Sequence, residues 1–392
     1  MHILHTALAW LNAAYWLLVL LETVRAMRYM LRLPASGELA EYPLVSVIIA
    51  AKEEQQAIAE TIRRLRGQSY PHLEIIAVND RSEDATGRIL DELYDASRRP
   101  GREEPPLEVI HIGSLPEGWL GKNHALYQGY LKARGEYLLF TDADVSFGEH
   151  AVRDAVAFMR REQADHLTLS PDIKARGFWL TAFVRYFFFA FSLYIRPWRA
   201  NADEDRKHGM GIGAFNMLSR QAYEAIGTHK AIAMRPDDDL QLGLCIKSAG
   251  LRQRLASASN CLEVEWYASL SEAVKGLEKN VFSGFQYRFW LAGLAVAGQL
   301  ALFVGPWIGM WMYGGLGSML FGFSSLLMAV LYAVHIRSLT GSVGPELMAL
   351  PLAALLLTYV VFRSVFLTLR RNGIYWRGTF YPLDLLKKMT RR

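Results

Sequence analysis

Between Arg288 and Arg337 the chain runs through residues 289 to 336, 48 positions, without an Asp, Glu, Lys or Arg. One crossing of the bilayer hydrocarbon takes about 20 such residues, so this run reads as a hairpin of two membrane helices turning near Gly314, Gly315 and Gly317. A further apolar segment extends from about Leu347 to Leu369. At the other end, Met1 to Leu21 carries no formal charge and is followed by Glu22, Arg25, Arg28 and Arg32. A cleaved leader would place its positive charges before the apolar run and end in an Ala-x-Ala site, which is lacking here. Residues 1–32 are therefore expected to hold an uncleaved transmembrane anchor, and the domain that follows is expected on the cytoplasmic side.

The whole chain, 392 residues with 52% hydrophobic and 21% charged content, is too apolar for disorder and too charged for a simple membrane channel. Two regimes are averaged in it. The net charge of +5 could point to nucleic acid, but Arg25, Arg28, Arg32, Arg370, Arg371, Lys387, Lys388, Arg391 and Arg392 all flank apolar segments. They read instead as positive-inside and anionic-lipid charges, with no nucleic-acid partner. Cys245 and Cys261 are too few for a disulfide framework or a zinc site of usual spacing.

From Pro43 to Asp144 short apolar runs alternate with amphipathic stretches. Leu44–Ala50, Leu73–Val78, Leu107–Ile112 and Tyr137–Phe140 read as strands buried on both faces. Between the first two, Ile58, Ile62 and Leu65 recur at helical spacing and Gly67 closes the helix, and Ile89 and Leu93 mark a second helix. Strand–helix alternation implies an α/β fold with a mostly parallel sheet, whose ligands sit beyond the carboxyl ends of the strands. Residues 178–198 are rich in aromatics and interrupted by Arg185 and Arg196, which favours a helix lying in the membrane interface over one that crosses.

Acidic groups fall at the expected strand ends. Glu54 follows the first strand, Asp80 the second, and Asp142-Ala143-Asp144 the Tyr137–Phe140 strand. Glu54 also suits a helix N-terminus, and Asp80 a helix cap. Two carboxylates two positions apart past a buried strand suit one hard divalent cation shared with substrate phosphates, Mg²⁺ or Mn²⁺; a plain strand-terminating turn is the alternative. Asp237-Asp238-Asp239, about a hundred residues later, brings together carboxylates that raise one another's pKa, favouring a proton acceptor. A solvated loop capping a helix is the bland reading of the same residues.

Taken in order, Ala50-Ala51-Lys52-Glu53-Glu54, Asn79-Asp80-Arg81-Ser82-Glu83-Asp84, Trp119-Leu120-Gly121-Lys122-Asn123-His124-Ala125, Thr141-Asp142-Ala143-Asp144-Val145 and Asp238-Asp239-Leu240-Gln241-Leu242-Gly243 resemble the membrane-bound family 2 glycosyltransferases of GT-A fold. The resemblance covers about residues 43–270. The segment Gly118–Ala125, with Gly211-Ile212-Gly213-Ala214-Phe215-Asn216, is most similar to carotenoid-acid (diaponeurosporenoate) glycosyltransferases. The tail Trp376-Arg377-Gly378-Thr379-Phe380-Tyr381 looks like the end of ceramide-glucosyltransferase-like and hopanoid-associated enzymes. Two departures stand out: the Pro-x-x-Asn-Glu opening is Ala50-x-x-Glu53-Glu54 here, and the Gln-x-x-Arg-Trp motif of processive polysaccharide synthases is not found.

The resemblance implies a GT-A nucleotide-sugar-binding domain at 43–270 that includes the interfacial helix, a C-terminal membrane region at 271–369 and a basic amphipathic tail at 370–392. It implies Glu54 and Asp80 on the base and ribose of a UDP-sugar, Asp142 on ribose or sugar, and Asp144 on the metal. Asp239 would be the catalytic base, with Asp238 its alternative. Lys122 would lie near the diphosphate, a place its charge suits as well as it suits an ordinary surface lysine. Arg377 is expected to face the diphosphate or to anchor the tail in the interface. The expected enzyme is an inverting, metal-dependent hexosyltransferase of the inner membrane, multi-pass, acting on a lipid acceptor. A processive polysaccharide synthase and an inactive membrane scaffold or transporter are its rivals.

Overall fold

The computed structural model describes residues 1–98, 104–312, 314–340, 342–376 and 379–390. In chain order the elements are α1 (His2–Ala26), β1 (Leu31–Arg32), β2 (Val45–Ala51), α2 (Ile58–Arg66), β3 (Leu73–Asp80), α3 (Thr86–Ser97), β4 (Leu107–Ile112), α4 (Gly121–Lys132), β5 (Tyr137–Asp142) and β6 (Val145–Phe147). There follow α5 (Ala151–Glu162), β7 (His166–Ser170), β8 (Asp172–Lys174), α6 (Phe178–Ile195), β9 (Asn216–Ser219), α7 (Arg220–Ala225), α8 (Asp238–Ser248), β10 (Gln253–Ser257) and β11 (Leu262–Glu265). The last are α9 (Leu270–Gly284), α10 (Phe289–Gln299), a π-helical stretch (Leu300–Val304), α11 (Gly305–Gly309), α12 (Gly315–Thr340), α13 (Leu350–Arg371), β12 (Gly373–Trp376), β13 (Thr379–Pro382) and α14 (Leu383–Thr390). They fall into two compact units, one of residues 29–174 and 197–265, the other of residues 1–28, 175–196 and 266–392.

The first unit is an α/β domain on an eight-stranded sheet ordered β1-β10-β7-β9-β5-β2-β3-β4. Every pairing is parallel except those of β9, which runs antiparallel to both β5 and β7. Period-2 alternation splits its strands between two cores. Val47 and Ile49 pack with Ile58, Ile62 and Leu65 of α2 on one face, and Ile48 packs with Ile76, Val78, Leu126, Phe140 and Leu242 on the other. Burial on both faces explains the unbroken apolar runs of β2 and β3, each such side chain contributing about 1.5–3 kcal/mol. Parallel register sets the carboxyl ends of β3, β2 and β5 side by side, with Asp80 the last residue of β3 and Asp142 the last of β5. A smaller sheet, β6-β11-β8, accompanies it.

The second unit gathers α1, α6 and everything from α9 onward around Trp16, Tyr186, Phe189, Phe303, Met328, Tyr332 and Leu350. Among the described residues, five helices here are long and apolar enough to cross a membrane: His2–Tyr29, Phe178–Ile195, Phe289–Gly309, Gly315–Thr340 and Pro345–Arg371. The aromatic helix α6 thus packs among the apolar helices, although both of its neighbours in sequence enter the α/β domain. In the Phe289–Gly309 helix, Pro306 has no N–H to offer the carbonyl of Leu302, and the Gly305 N–H reaches back to Leu300 instead of Ala301. α1 satisfies both freed carbonyls: Asn12 Nδ2 donates to Ala301 O at 3.0 Å and Trp16 Nε1 to Leu302 O at 3.1 Å. Such compensation is required wherever lipid replaces water.

Candidate active site

Two loops at the carboxyl edge are bound to each other. After β2, the N–H groups of Glu53 and Gln55 donate to Ser82 Oγ and Asp84 Oδ2 of the loop after β3, and that of Glu54 to Thr86 Oγ1 at the start of α3. Glu53 Oε1 and Gln55 Oε1 accept in return from the N–H groups of Glu83 and Ala85. Glu53, which stands where the resembled pattern has Asn, adopts φ 56°, and Arg81 adopts φ 55°. Asn enters this left-handed region more readily than Glu, and the reciprocal bonds hold Glu53 there. Asp80 is buried and takes a bidentate ion pair from its neighbour Arg81 at 2.8 and 3.1 Å. Gly121 opens α4 directly against it, since a Cβ there would lie 2.3 Å from Asp80 Oδ2.

α4 joins this edge to the acidic cluster. Lys122 Nζ stands 2.7 Å from Asp142 Oδ1 and 3.5 Å from Asp238 Oδ2. Next to it, Asn123 Nδ2 donates to the carbonyls of Ile232, Ala233 and Arg235, and Leu120 N–H to that of Ala233. The loop leading into Asp237 is thereby fixed to the helix that carries Lys122. The three adjacent carboxylates are then separated by their partners. Asp237 takes Arg235 and Gln241, Asp238 is buried toward Lys122, and Asp239, half-buried, accepts the N–H of Gly213 at 2.8 Å and that of Leu240 at 2.7 Å.

The electrostatics follow from this crowding. Burial works against the Lys122 ammonium, but Asp142, Asp238 and Asp239 outweigh it and hold its pKa above the ordinary lysine value. Burial pushes the Asp238 carboxyl well above the usual carboxylate range, Lys122 opposing and Asp239 and Asp142 adding to it. Asp239 is raised too, by burial and then Asp142, against the pull of Lys122 and of its two N–H donors. A carboxylate raised toward neutrality is a better proton acceptor than an ordinary one.

The loop 208–214 was not counted among the site residues on sequence grounds, yet it connects two of them. Asp142 N–H donates to Gly213 O at 3.0 Å while Gly213 N–H donates to Asp239 Oδ2 at 2.8 Å, so the backbone of a single residue bridges the end of β5 and the start of α8. Alternate glycines make the approach feasible. A Cβ on Gly211 would lie 1.8 Å from Asp239 O, one on Gly209 2.2 Å from Gly243 O, and one on Gly213 2.5 Å from Asp142 Oδ2. The spacing Gly209-x-Gly211-x-Gly213 opposite Gly243 was the available signal. His124 was also passed over; its ring is buried with Nδ1 unpartnered, and burial, ahead of Arg81, holds its pKa below the ordinary histidine value.

Of the expected site residues, Lys122, Asp142, Asp238 and Asp239 converge, Asp80 stands on the far side of the intervening strand β2, and Glu54 lies on the loop that follows β2. Asp144 is exposed on the turn between β5 and β6. Arg377 lies outside the described residues. Among the described residues no group of three or more His, Cys, Asp or Glu could hold a metal ion by itself. Two hard carboxylates at one strand end, one of them exposed, do fit a cation that takes its remaining ligands from a diphosphate, which is how Mg²⁺ is ordinarily bound.

The sequence profile described as Glycosyl transferase family 2 matches residues 46–227. The 4,4'-diaponeurosporenoate glycosyltransferase of Staphylococcus aureus (strain bovine RF122 / ET3-1) is 23% identical over 362 residues, covering 87% of this chain and 88% of that protein. The probable glycosyltransferase YdaM of Bacillus subtilis (strain 168) is 35% identical over 106 residues, 26% of this chain and 23% of its own length. Among solved structures, the mannosyltransferase PcManGT from Pyrobaculum calidifontis, in complex with GDP-Man and Mn2+, superposes with a TM-score of 0.54 at 17% identity over 93% of this chain and 99% of that one, a likeness of fold. The acidic edge of the parallel sheet therefore lies in a region that matches the glycosyl transferase family 2 profile, in a domain of GT-A-like fold, and the chain also carries apolar helices of membrane-spanning length.

Proposed function

We propose that the chain moves one sugar from a nucleotide sugar, a UDP-sugar in the first instance, to the hydroxyl or carboxyl oxygen of a membrane lipid, with inversion at the anomeric carbon. The observation that carries this reading is Gly213, whose N–H and C=O hold the half-buried Asp239 carboxylate beside Asp142 and its Lys122 partner. Asp239 serves as the base: it takes the O–H proton of a hydroxyl or still-protonated carboxyl acceptor as the acceptor oxygen bonds to the anomeric carbon and the bond from that carbon to the diphosphate oxygen breaks. Asp238, buried and turned toward Lys122, tunes the site instead of meeting substrate. Glu54 and Asp80 hold the nucleoside end, Lys122 and Asp142 the sugar–diphosphate end. Asp144, with Asp142 nearby, would hold a divalent cation whose charge, when bound, offsets that of the departing diphosphate. Lys122 orients the same end of the donor with its own ammonium.

The name of the Staphylococcus aureus relative supports an apolar carboxylic acid as acceptor. The bound GDP-Man and Mn2+ of the archaeal mannosyltransferase support a nucleotide-sugar donor with a metal. Purified Asp239→Asn chain incubated with labelled UDP-glucose and membrane lipid tests the assignment. Turnover should fall by roughly 10² or more, the scale of a lost general base, while donor binding persists; unimpaired turnover contradicts it.

A further inference from the structure

We infer that only three of the five apolar helices cross the bilayer, namely α1, the Phe289–Gly309 helix and α12, and that α6 and α13 lie with α9 in a single leaflet, whose acyl chains and anionic headgroups they contact. The proposal goes beyond the catalytic reading and rests on the chain being membrane-embedded.

Contacts inside the helical unit give each helix a direction. His5 Nε2 lies 3.1 Å from Gly309 O, and a Cβ on Gly317 would lie 2.5 Å from His5 Nδ1. The start of α1, the end of α11 and the start of α12 therefore form one end of the bundle. Deeper in, Asn12 and Trp16 bond Ala301 and Leu302. The three spans, 28, 21 and 26 residues long, measure roughly 30–40 Å at about 1.5 Å per residue, enough for the hydrocarbon core.

α6 has no such freedom. The strands before it (β7) and after it (β9, β10) hydrogen-bond to one another in one sheet. A sheet cannot straddle a bilayer, so the chain returns from α6 to the side it left. Its contacts agree: Gln299 Nε2, midway along the Phe289–Gly309 helix, donates to Tyr186 OH at 2.5 Å, and Phe189 packs on Trp16, Phe303 and Tyr332.

α13 starts at the same depth. Glu346, just ahead of it, pairs with Arg185 of α6, and Ala354 O accepts from Gln299 at 3.4 Å. From there it runs away from the His5 end. Phe282 N–H of α9 donates to Ser364 Oγ at 3.1 Å, and Glu278 of α9 pairs with Arg363 at 3.2 Å and with Arg371 at 2.8 Å. α9 leads directly into Phe289, the start of the span that ends at Gly309. Had α13 crossed, Arg371 would stand beside Gly309, about 30 Å from Glu278 by the length of that span. α12 ends on the α9 side as well, so α13 begins and finishes on one side, and the tail from Asn372 lies there with α9.

The partner follows from the surface that is left. Leu352, Leu355, Tyr359, Phe362, Phe366 and Leu369 recur at spacings of three and four along one stripe of α13, and protein leaves them 43–66% exposed. The exposed Arg370 and Arg371 close the stripe. An apolar stripe ending in guanidinium groups suits acyl chains beneath anionic headgroups of one leaflet.

The test uses the full chain in sealed vesicles of both orientations, with Cys245 and Cys261 replaced by Ser and one new cysteine at a time: Met312→Cys, Ser342→Cys, Asp384→Cys or Lys132→Cys. A membrane-impermeant maleimide should label 342, 384 and 132 from one side and 312 from the other, each with at least tenfold preference. Labelling of 384 from the side of 312 overturns the proposal. Should a variant fail to accumulate, protease digestion of a C-terminal tag on the native chain reads the same question: loss of the tag only where position 132 is accessible supports the proposal, and loss from the side of 312 overturns it. Release of the chain by alkaline carbonate would overturn the premise separately.

Discussion

Gly213→Ala isolates the residue whose backbone connects the two acidic elements. Gly213 does not sit in the left-handed region, so alanine can adopt its backbone, and the whole perturbation is one methyl group placed 2.5 Å from Asp142 Oδ2. A carbon–oxygen contact relaxes at roughly 3.3 Å, so about 0.8 Å must be found by moving a group. Asp142 cannot rotate away freely because Lys122 holds its other oxygen at 2.7 Å, and breaking a partly buried charged contact costs about 1.5–3 kcal/mol. Shifting the backbone at 213 instead drags the N–H that orients Asp239. Displacements approaching 1 Å at a reacting group cost up to about 10² in rate. The expected result is a kcat lowered by about 10–10² with KM for the nucleotide sugar changed less than threefold and a Tm lowered by only a few degrees. The assay is transfer of labelled sugar by the purified full chain, beside a thermal melt. A kcat within twofold of the parent, in a preparation where Asp239→Asn is inactive, would refute the bridging role.

Asp238→Asn should retain more turnover than Asp239→Asn, because Asp238 is buried toward Lys122 while Asp239 is half-exposed; the reverse order would move the base by one residue. Asp144→Asn should lose turnover and weaken donor binding only when metal is supplied, and equal activity across a Mn²⁺ titration would remove Asp144 from the cation site. Glu74 sits buried beneath Ser46 and Arg134, whose hydrogen bonds outweigh burial and hold its carboxyl below the ordinary value. Its folded pKa is thus lower than its unfolded one, so its stabilisation is complete above roughly pH 4.3 and is lost as pH falls through the folded value. Glu74→Gln should cost about 2–4 kcal/mol at pH 7 and progressively less on acidification, read from thermal melts; a gap that stays constant with pH would contradict the assignment.

Much of the α/β domain was legible because strands buried on both faces must be apolar throughout. The four expected strands lie within two residues of β2, β3, β4 and β5, and Ile58, Ile62 and Leu65 do face the core. β5 runs on to Asp142 and β3 to Asp80, polar ends that hydropathy alone would exclude. The positions of Asp80 and Asp142 at strand ends were legible. What they bind to was not, because the Gly213 bridge and the Asn123 anchor depend on backbone groups that carry no residue-type signature. Antiparallel β9, which returns through the sheet between β5 and β7, has only four residues and offered no periodicity to read. The aromatic helix and Pro345–Arg371 are alike in hydropathy to the helices taken here as spans; only sheet continuity and the Glu278 ion pairs distinguish them.

Transfer itself is the most direct test. Purified full chain in proteoliposomes, supplied with Mn²⁺, a lipid extract and radiolabelled UDP-glucose or GDP-mannose in parallel, should convert one donor into a single labelled lipid. Mass spectrometry should show one added hexose, and product should be lost with a chelator or in Asp239→Asn. A ladder of polymer products, label recovered only as free sugar, or equal product from Asp239→Asn would contradict the account.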